Sequence, residues 1–415
     1  MRGGLEPLAH REFRLLFSAR TISVGGSAFT NVALAFAVLD ITGSKADLGF
    51  VLAARLAPQV VLVLVGGIWG DRLPRDRVMF ASSVLSGLTQ SVLAALLLAG
   101  AARLWSLLAL AVLSGASSSF FFPASQGIIP QTVPRRLLQR ANALLRFGLN
   151  GSTIVGAAVA GLIVAVSNPG SAIAVDAGSY FVAAALVAAM RLPATPVLGG
   201  ETFFRDLVDG WREFRSRRWL WTIVLQFAIL NAVEVGARNV LGPVVAKEHF
   251  GGAGAWGLIV AALGLGLVAG AATMAWARPR HLLLVATYSL GLLVGLPLTL
   301  AFPVSLALVL AGAFVTGFGI ETFSVLWDTT MQQELPHEKL SRLYAYDNLG
   351  SIVLTPLGLA IVGPVATLVG TRATLLGAAA LVVLTSVAVL FVRDVRTLER
   401  APTTENVAPP DLLSV

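Results

Sequence analysis

Twelve runs of about twenty apolar residues, separated by charged connections, limit what this chain can fold into more than any other feature. They fall at roughly 17–39, 48–69, 77–99, 104–123, 143–165, 171–190, 219–245, 254–276, 281–301, 304–327, 346–367 and 373–392. A helix rises about 1.5 Å per residue, so each run can cross a hydrocarbon layer of about 30 Å. Runs of this length without in/out alternation predict helices rather than the strands of a β-barrel. Only 13% of the 415 residues are charged, where a soluble domain carries roughly 25%. The sequence therefore predicts an all-α polytopic membrane protein with twelve transmembrane helices.

The chain is nevertheless basic, with a formal charge of +8, and the position of that charge sets its meaning. The two termini and the five connections on their side hold 22 of the 30 Lys and Arg residues. The opposite connections hold four (Lys45, Arg103, Lys247, Arg372), and Arg20, Arg55, Arg146 and Arg238 lie inside runs. Basic loops stay cytoplasmic, which predicts a multi-pass protein of the inner (plasma) membrane with both termini in the cytoplasm. The charge thus reads as a topology signal, and no nucleic-acid partner is expected. The charged start (Arg2, Arg11, Arg14) precedes a first run as long as the others, so no cleavable signal peptide is expected. Cysteine is absent, which excludes disulfides and thiolate metal sites, and the four histidines have no ligand-type spacing. Neither a metal nor a cofactor is expected.

The longest connection follows the sixth run. It divides the chain into an N-terminal six-helix half (1–190), a linker (191–218), a C-terminal six-helix half (219–392) and a cytoplasmic tail (393–415) expected to be disordered. Phe203, Leu207, Trp211 and Phe214 recur at helical spacing beside Arg212, Arg215, Arg217 and Arg218, which predicts an amphipathic helix on the inner leaflet. A shift of 202 residues places Pro134 on Pro336, Leu138 on Leu340, Arg140 on Arg342, Gly148 on Gly350, Gly156 on Gly358 and Gly161 on Gly363. Such a diagonal argues for two halves related by duplication, with the pathway between them near the bilayer midplane.

Several stretches carry a family likeness: FRLLFSARTIS (13–23), TGSKADLG (42–49), GGIWGDRLPRDR (66–77), FFPASQGIIPQTVP through RANAL (121–144) and DAGSYF (176–181). Together they resemble the major facilitator superfamily over about residues 11–395, and most closely its branch of enterobactin-type siderophore exporters and macrolide-type drug efflux pumps. The resemblance implies two pseudo-symmetric halves and secondary transport by alternating access. In the signature loop Gly67, Asp71, Arg72 and Arg75 match the family pattern, whereas Pro74 stands where glycine is usual and Asp76 replaces a basic residue. The resemblance implies a conformational gate in which the aspartate meets the end of a helix from the other half, where the helix dipole favours an acid. A solvated loop is the competing reading. The counterpart ARPRH (277–281) has no aspartate, so the gate is one-sided. The fifth run resembles the glycine-rich motif of exporter families, with Ala157 in place of proline and Ala160 in place of glycine. Its Gly148, Gly156 and Gly161 equally suit close helix packing.

Charges inside runs cost about 2.5–3.5 kcal/mol at the bilayer centre and each requires a reason. Glu234 lies mid-run, with Asn231 and Arg238 on the same helical face. It reads either as a cavity carboxylate that exchanges protons or as an intrahelical partner of Arg238. Glu321 is the second proton-coupling candidate. Arg20, Ser23, Ser27 and Asn31 form a polar stripe that suits a substrate cavity, as do Arg146 and Asn150; Arg20 could instead snorkel to the nearby surface. In the branch resembled, the residue after Gly26 is often aspartate, and here it is Ser27. Asp40, Asp176 and Asp328 are placed near span ends, where hydration makes a charge cheap, and Asp176 is paired with Arg55. The aromatic residues of the spans favour an amphipathic organic substrate over a sugar.

These readings converge on a secondary active transporter that is monomeric and not an enzyme. The expected activity is proton-coupled export of a small lipophilic drug-like compound or siderophore by an antiporter, with the proton gradient as the energy source. Import of a small organic solute is the alternative. A primary pump is disfavoured because no lysine completes a nucleotide-binding loop. A membrane-embedded enzyme would need a nucleophile and base, or metal ligands, clustered at one membrane face, and no such cluster can be read.

Overall fold

The computed structural model describes residues 5–69, 74–192, 211–277, 279–335 and 340–398. Asp71, Arg72, most of the linker, Arg278 and the tail from 399 lie outside these, as do the expectations placed on them. The described residues form helices and no strands. The first half contains α1 (Arg11–Thr42), α2 (Lys45–Trp69), α3 (Arg75–Leu98), α4 (Leu104–Ile128), α5 (Leu138–Val166) and α6 (Pro169–Ala188). The second contains α7 (Arg218–His249), α8 (Ala253–Trp276), α9 (Leu282–Ala301), α10 (Leu306–Glu334), α11 (Leu340–Ile352, resuming as Thr355–Val369) and α12 (Thr371–Leu390). All but α2 contain, among the described residues, a stretch long and apolar enough to cross a membrane, and α2 itself runs for 25 residues.

Local chemistry sets the helix ends and breaks. Asn168 starts α6 by accepting a hydrogen bond from the Ser171 amide at 2.9 Å, and Ser305 does the same for α10 through Leu308. Gly43 ends α1 at φ 64° and Gly370 turns the chain into α12 at φ 91°, conformations that a side chain would strain. The break in α11 precedes Pro356, which lacks the amide a continuous helix would need. Midway along α7 the backbone widens into two π-type turns, Asn231–Val235 and Ala237–Leu241, on either side of Gly236. Such turns insert a residue into the helical ladder and are frequent at functional sites.

The halves repeat one pattern of packing. In the first, α1 packs on α5 and α6, α2 on α4, and α3 on α4 and α6; in the second, α7 packs on α11 and α12, α8 on α10, and α9 on α10 and α12. The two most extensive crossings between the halves, α5 on α8 and α2 on α11, also exchange under the repeat. The three glycine pairs on the 202-residue diagonal explain the close approach. A Cβ on Gly156 would lie 2.5 Å from the Gly25 carbonyl of α1, and one on Gly358 would overlap the Ala232 carbonyl of α7. Gly148 and Gly350 likewise face side chains of α1 and α7. Gly161 faces the other half, where a Cβ would lie 2.7 Å from the Ala253 carbonyl and 2.9 Å from Cα of Gly257 on α8. Gly363 faces the backbone of Lys45 and Ala46 on α2. Missing side chains thus bring these helices into backbone contact.

Large apolar side chains such as Trp105, Leu162, Trp276 and Phe391 are exposed on the perimeter, as a surface solvated by lipid requires. Of the expected amphipathic linker helix, residues 211–216 are described and helical. Here Phe214 is buried, and its ring lies 5.6 Å from Trp211 and 5.8 Å from Tyr346 of α11. This end of the segment docks on the second half as well as offering polar residues to the surface.

Candidate substrate cavity and its seals

At mid-depth between the halves lies a cavity of about 280 Å³, lined from α1, α2 and α5 on one side and α7 and α8 on the other. Its polar lining is Asn31, Asn150, Thr153, Arg238 and Asn239, set among apolar side chains that include Val32, Leu52, Ile154, Trp256, Val260 and Leu263. Mostly apolar walls with a few converging donors and acceptors suit an amphipathic organic molecule. Three candidates far apart in sequence, Asn31, Asn150 and Arg238, are thereby brought to one site.

The widened turns of α7 position the charged pair beside this cavity. Arg238 Nε donates to Glu234 Oε1 at 2.8 Å, and Nη2 donates to Oε2 at 3.5 Å. The Glu234 side chain is only 4% exposed, whereas that of Arg238 is 21% exposed and reaches the lining. The arginine is therefore the face that the pair shows to a ligand, and the carboxylate stands behind it. Asn231 turns away, donating from Nδ2 to the Ser351 carbonyl of α11 at 2.9 Å.

At the membrane face opposite the termini the halves are tied together. Lys247 of α7 meets Asp40 of α1 at 2.5 Å. Lys45 of α2 donates to the Thr371 hydroxyl of α12 at 2.6 Å and lies 3.8 Å from Glu248 of α7. Just beneath, the glycine crossings of α5 on α8 and α2 on α11 bring backbone against backbone. Toward the terminal face, Arg20, Pro130, Asn142 and Arg146 line a second cavity of about 430 Å³. Arg20 does not snorkel to the surface: the residue is 4% exposed and sits in the wall. Across from it, Arg146 lies 3.9 Å from Asp328 of α10, and both act electrostatically on Glu321, two turns earlier on the same helix. Asp347 is held by the Trp327 indole N–H at 3.1 Å. A basic wall from the first half thus confronts an acidic wall from the second.

The remaining candidates fall elsewhere. Ser23 is buried within the first half, and the Ser27 hydroxyl bonds the Ser23 carbonyl at 2.9 Å and pairs with the Tyr180 hydroxyl at 3.0 Å, so this part of the stripe faces α6. Gly67 lies in the last turn of α2, and Arg75 opens α3. Asp176 departs most from expectation. It is fully buried, with 0% exposure, rather than hydrated near a helix end, and Arg55 gives Nη1 to Asn31 Oδ1 at 2.8 Å rather than pairing with it. One signal for this was present in the sequence, since Asp176 is the one acidic residue of the first half that falls within a run. The Asp40–Lys247 contact left no comparable signal, because two ends 207 residues apart meet only once the halves associate.

Two repeated six-helix bundles around a shared mid-membrane cavity, sealed at one face, define a multi-pass transporter of the major facilitator fold. Within that class the chain belongs to the transmembrane secretion effector family, whose profile matches residues 2–415. It is a transporter of small molecules and not an enzyme. Among curated relatives it is 27% identical over 405 residues to the multidrug efflux pump Tap of Mycolicibacterium fortuitum, covering 93% of this chain and 97% of the pump. It is 25% identical over 364 residues to the enterobactin exporter EntS of Escherichia coli O139:H28, covering 85% of each chain. Among solved structures, a bacterial homologue of the iron transporter ferroportin in an inward-facing state superposes with a TM-score of 0.70 at 18% identity, over 92% of this chain and 98% of that one. The nucleoside transporter NupG gives 0.74 at 13% identity, over 91% and 98%. These two likenesses concern the fold.

Proposed function

We propose that this transporter is a proton-coupled exporter, an antiporter that carries small lipophilic drug-like compounds or siderophores from the cytoplasm outward. The observation that carries the reading is the mid-depth cavity. Its apolar walls and sparse amides suit such compounds, and the ties between halves across its far face leave the approach to the terminal side. The basic residues concentrated on the terminal face support a cytoplasmic placing of that face, and the bacterial efflux relatives support the plasma membrane. The multidrug pump and enterobactin exporter among its relatives favour the same direction and class of cargo.

The coupling reading rests on Glu234. While ionised it holds Arg238 at 2.8 Å; on taking a proton it releases the guanidinium to the cavity, so that proton and substrate compete for one arrangement of α7. Glu321, beside Asp328 and Arg146 on the terminal side, is the second group placed to exchange protons during the cycle. Each chain carries a complete pathway and acts as a monomer.

The test uses inverted membrane vesicles and a fluorescent lipophilic dye. A proton gradient should drive dye into vesicles containing the wild-type chain, and Glu234→Gln should lose that drive while still binding dye. Gradient-driven transport undiminished in Glu234→Gln would remove Glu234 from the coupling mechanism, and dye movement in the opposite sense would make the protein an importer.

A further inference from the structure

Asp176 sits in the second turn of α6, about 10 Å along the helix from its start at the face opposite the termini. It has no exposure to solvent. Gly26 makes the space for it, since a Cβ there would lie 2.8 Å from Asp176 Oδ1 and would overlap the Ser179 hydroxyl. The carboxylate is held by hydroxyls. Thr30 of α1 donates to Oδ2 at 2.5 Å; the Ser179 hydroxyl donates to the Asp176 backbone carbonyl at 2.7 Å and lies 3.3 Å from Oδ1.

A carboxylate in such a place must be paired with a cation or neutralised by a proton. Arg55 of α2 is the charge that faces it, but the short hydrogen bond of Arg55 goes to Asn31, and no ion pair joins Arg55 to Asp176. The other elements around it offer no second cation at this depth. Along α1, Arg20 and Asp40 lie toward opposite ends; the charges of α3 are confined to its first turn; Arg140 and Arg146 of α5 lie toward the terminal face; and α6 itself adds only Tyr180, bonded to Ser27.

We propose that Asp176 is a proton-binding site of the N-terminal half, built between α1 and α6 and linked to the substrate cavity through the adjacent residues Thr30 and Asn31. Hydroxyl partners suit both forms of the acid, because a hydroxyl can donate to a carboxylate or accept from a carboxylic acid. On uptake, a hydronium ion from the aqueous phase gives up one proton, and one O–H bond forms at a carboxyl oxygen of Asp176. The Thr30 hydroxyl then turns from donor to acceptor there and donates instead to a backbone carbonyl one turn back. Arg55 loses its facing negative charge, which leaves its hydrogen bond to Asn31 as its main tether. Asn31 lines the cavity, so the protonation state of α6 reaches the substrate through one residue step along α1. The inference rests on the transporter fold and on neither export nor Glu234.

Infrared titration of the purified full-length chain in lipid nanodiscs, without substrate, tests it directly through the carbonyl-stretch band of protonated carboxyl groups. A titrating component of that band should vanish in Asp176→Asn and persist in Glu234→Gln. In Thr30→Val the charged form loses a donor, so the midpoint of the same component should move to higher pH, about tenfold in proton affinity. An unchanged band in Asp176→Asn, or a midpoint unmoved by Thr30→Val, would overturn the assignment. If Asp176→Asn does not yield folded protein, the Thr30→Val midpoint decides alone.

Discussion

Asp40 and Lys247 meet at 2.5 Å across the face opposite the termini, joining the last turns of α1 and α7, which are equivalent helices of the two halves. Both side chains are about half exposed, so the pair is worth at most about 1 kcal/mol. That suffices to bias a transporter whose two states are close in energy. Lys247→Ala should raise labelling of a single cysteine at cavity position Val260, by a thiol reagent applied from that face, about two- to fivefold. The charge-swapped double variant, Asp40→Lys with Lys247→Asp, should restore the wild-type labelling rate.

The crossing of α5 on α8 should be intolerant of a single methyl group. Gly257→Ala places a Cβ 2.8 Å from the Ala157 carbonyl and 3.0 Å from Cα of Gly161, so the helices must separate. Overpacking of this kind costs about 1–3 kcal/mol, and thermal unfolding in detergent should register it. Gly151→Ala on the same α5 meets nothing within 4 Å and should leave both stability and labelling unchanged.

Glu234 and Arg238 should behave as one unit. Removing one partner strands the other in a site from which water is largely excluded, so Arg238→Met should be markedly destabilising. Adding Glu234→Gln to it should recover part of the loss, with a coupling energy of about 1–3 kcal/mol in a double-mutant cycle followed by thermal unfolding.

Trp256 is an aromatic side chain in the cavity lining and is itself 3% exposed. Trp256→Ala should weaken binding of an aromatic dye about tenfold, close to the 1.4 kcal/mol of a modest loss of stacking and apolar contact. Asn31→Ala should alter the ranking among dyes more than their common affinity, because it removes a directional partner rather than apolar area. Fluorescence titration of both variants against several dyes separates the two effects.

Much of this architecture was legible before any coordinates, for reasons that are local. A run of twenty apolar residues must be a helix in a bilayer, and the 202-residue diagonal of Gly148, Gly156 and Gly161 carried the duplication. The structure adds what each glycine is for: Gly148 and Gly156 face their own half, whereas Gly161 faces the other. Periodicity grouped Arg20, Ser23, Ser27 and Asn31 as one polar stripe on α1. It could not say that α6 would cover Ser27 while Asn31 stayed open to the cavity, because that depends on where a second helix crosses the first. Asp176 was misjudged for the same reason, since its distance from a helix end carries no information about what packs over it.

The backbone-to-backbone crossings also separate two kinds of inheritance within this chain. Because Gly161, Gly257 and Gly363 close one face without contributing a side chain, a lineage can exchange the cavity-lining residues, and with them the compounds it carries, without retuning the hinge surfaces. A new cargo specificity need not reinvent the machine that moves it.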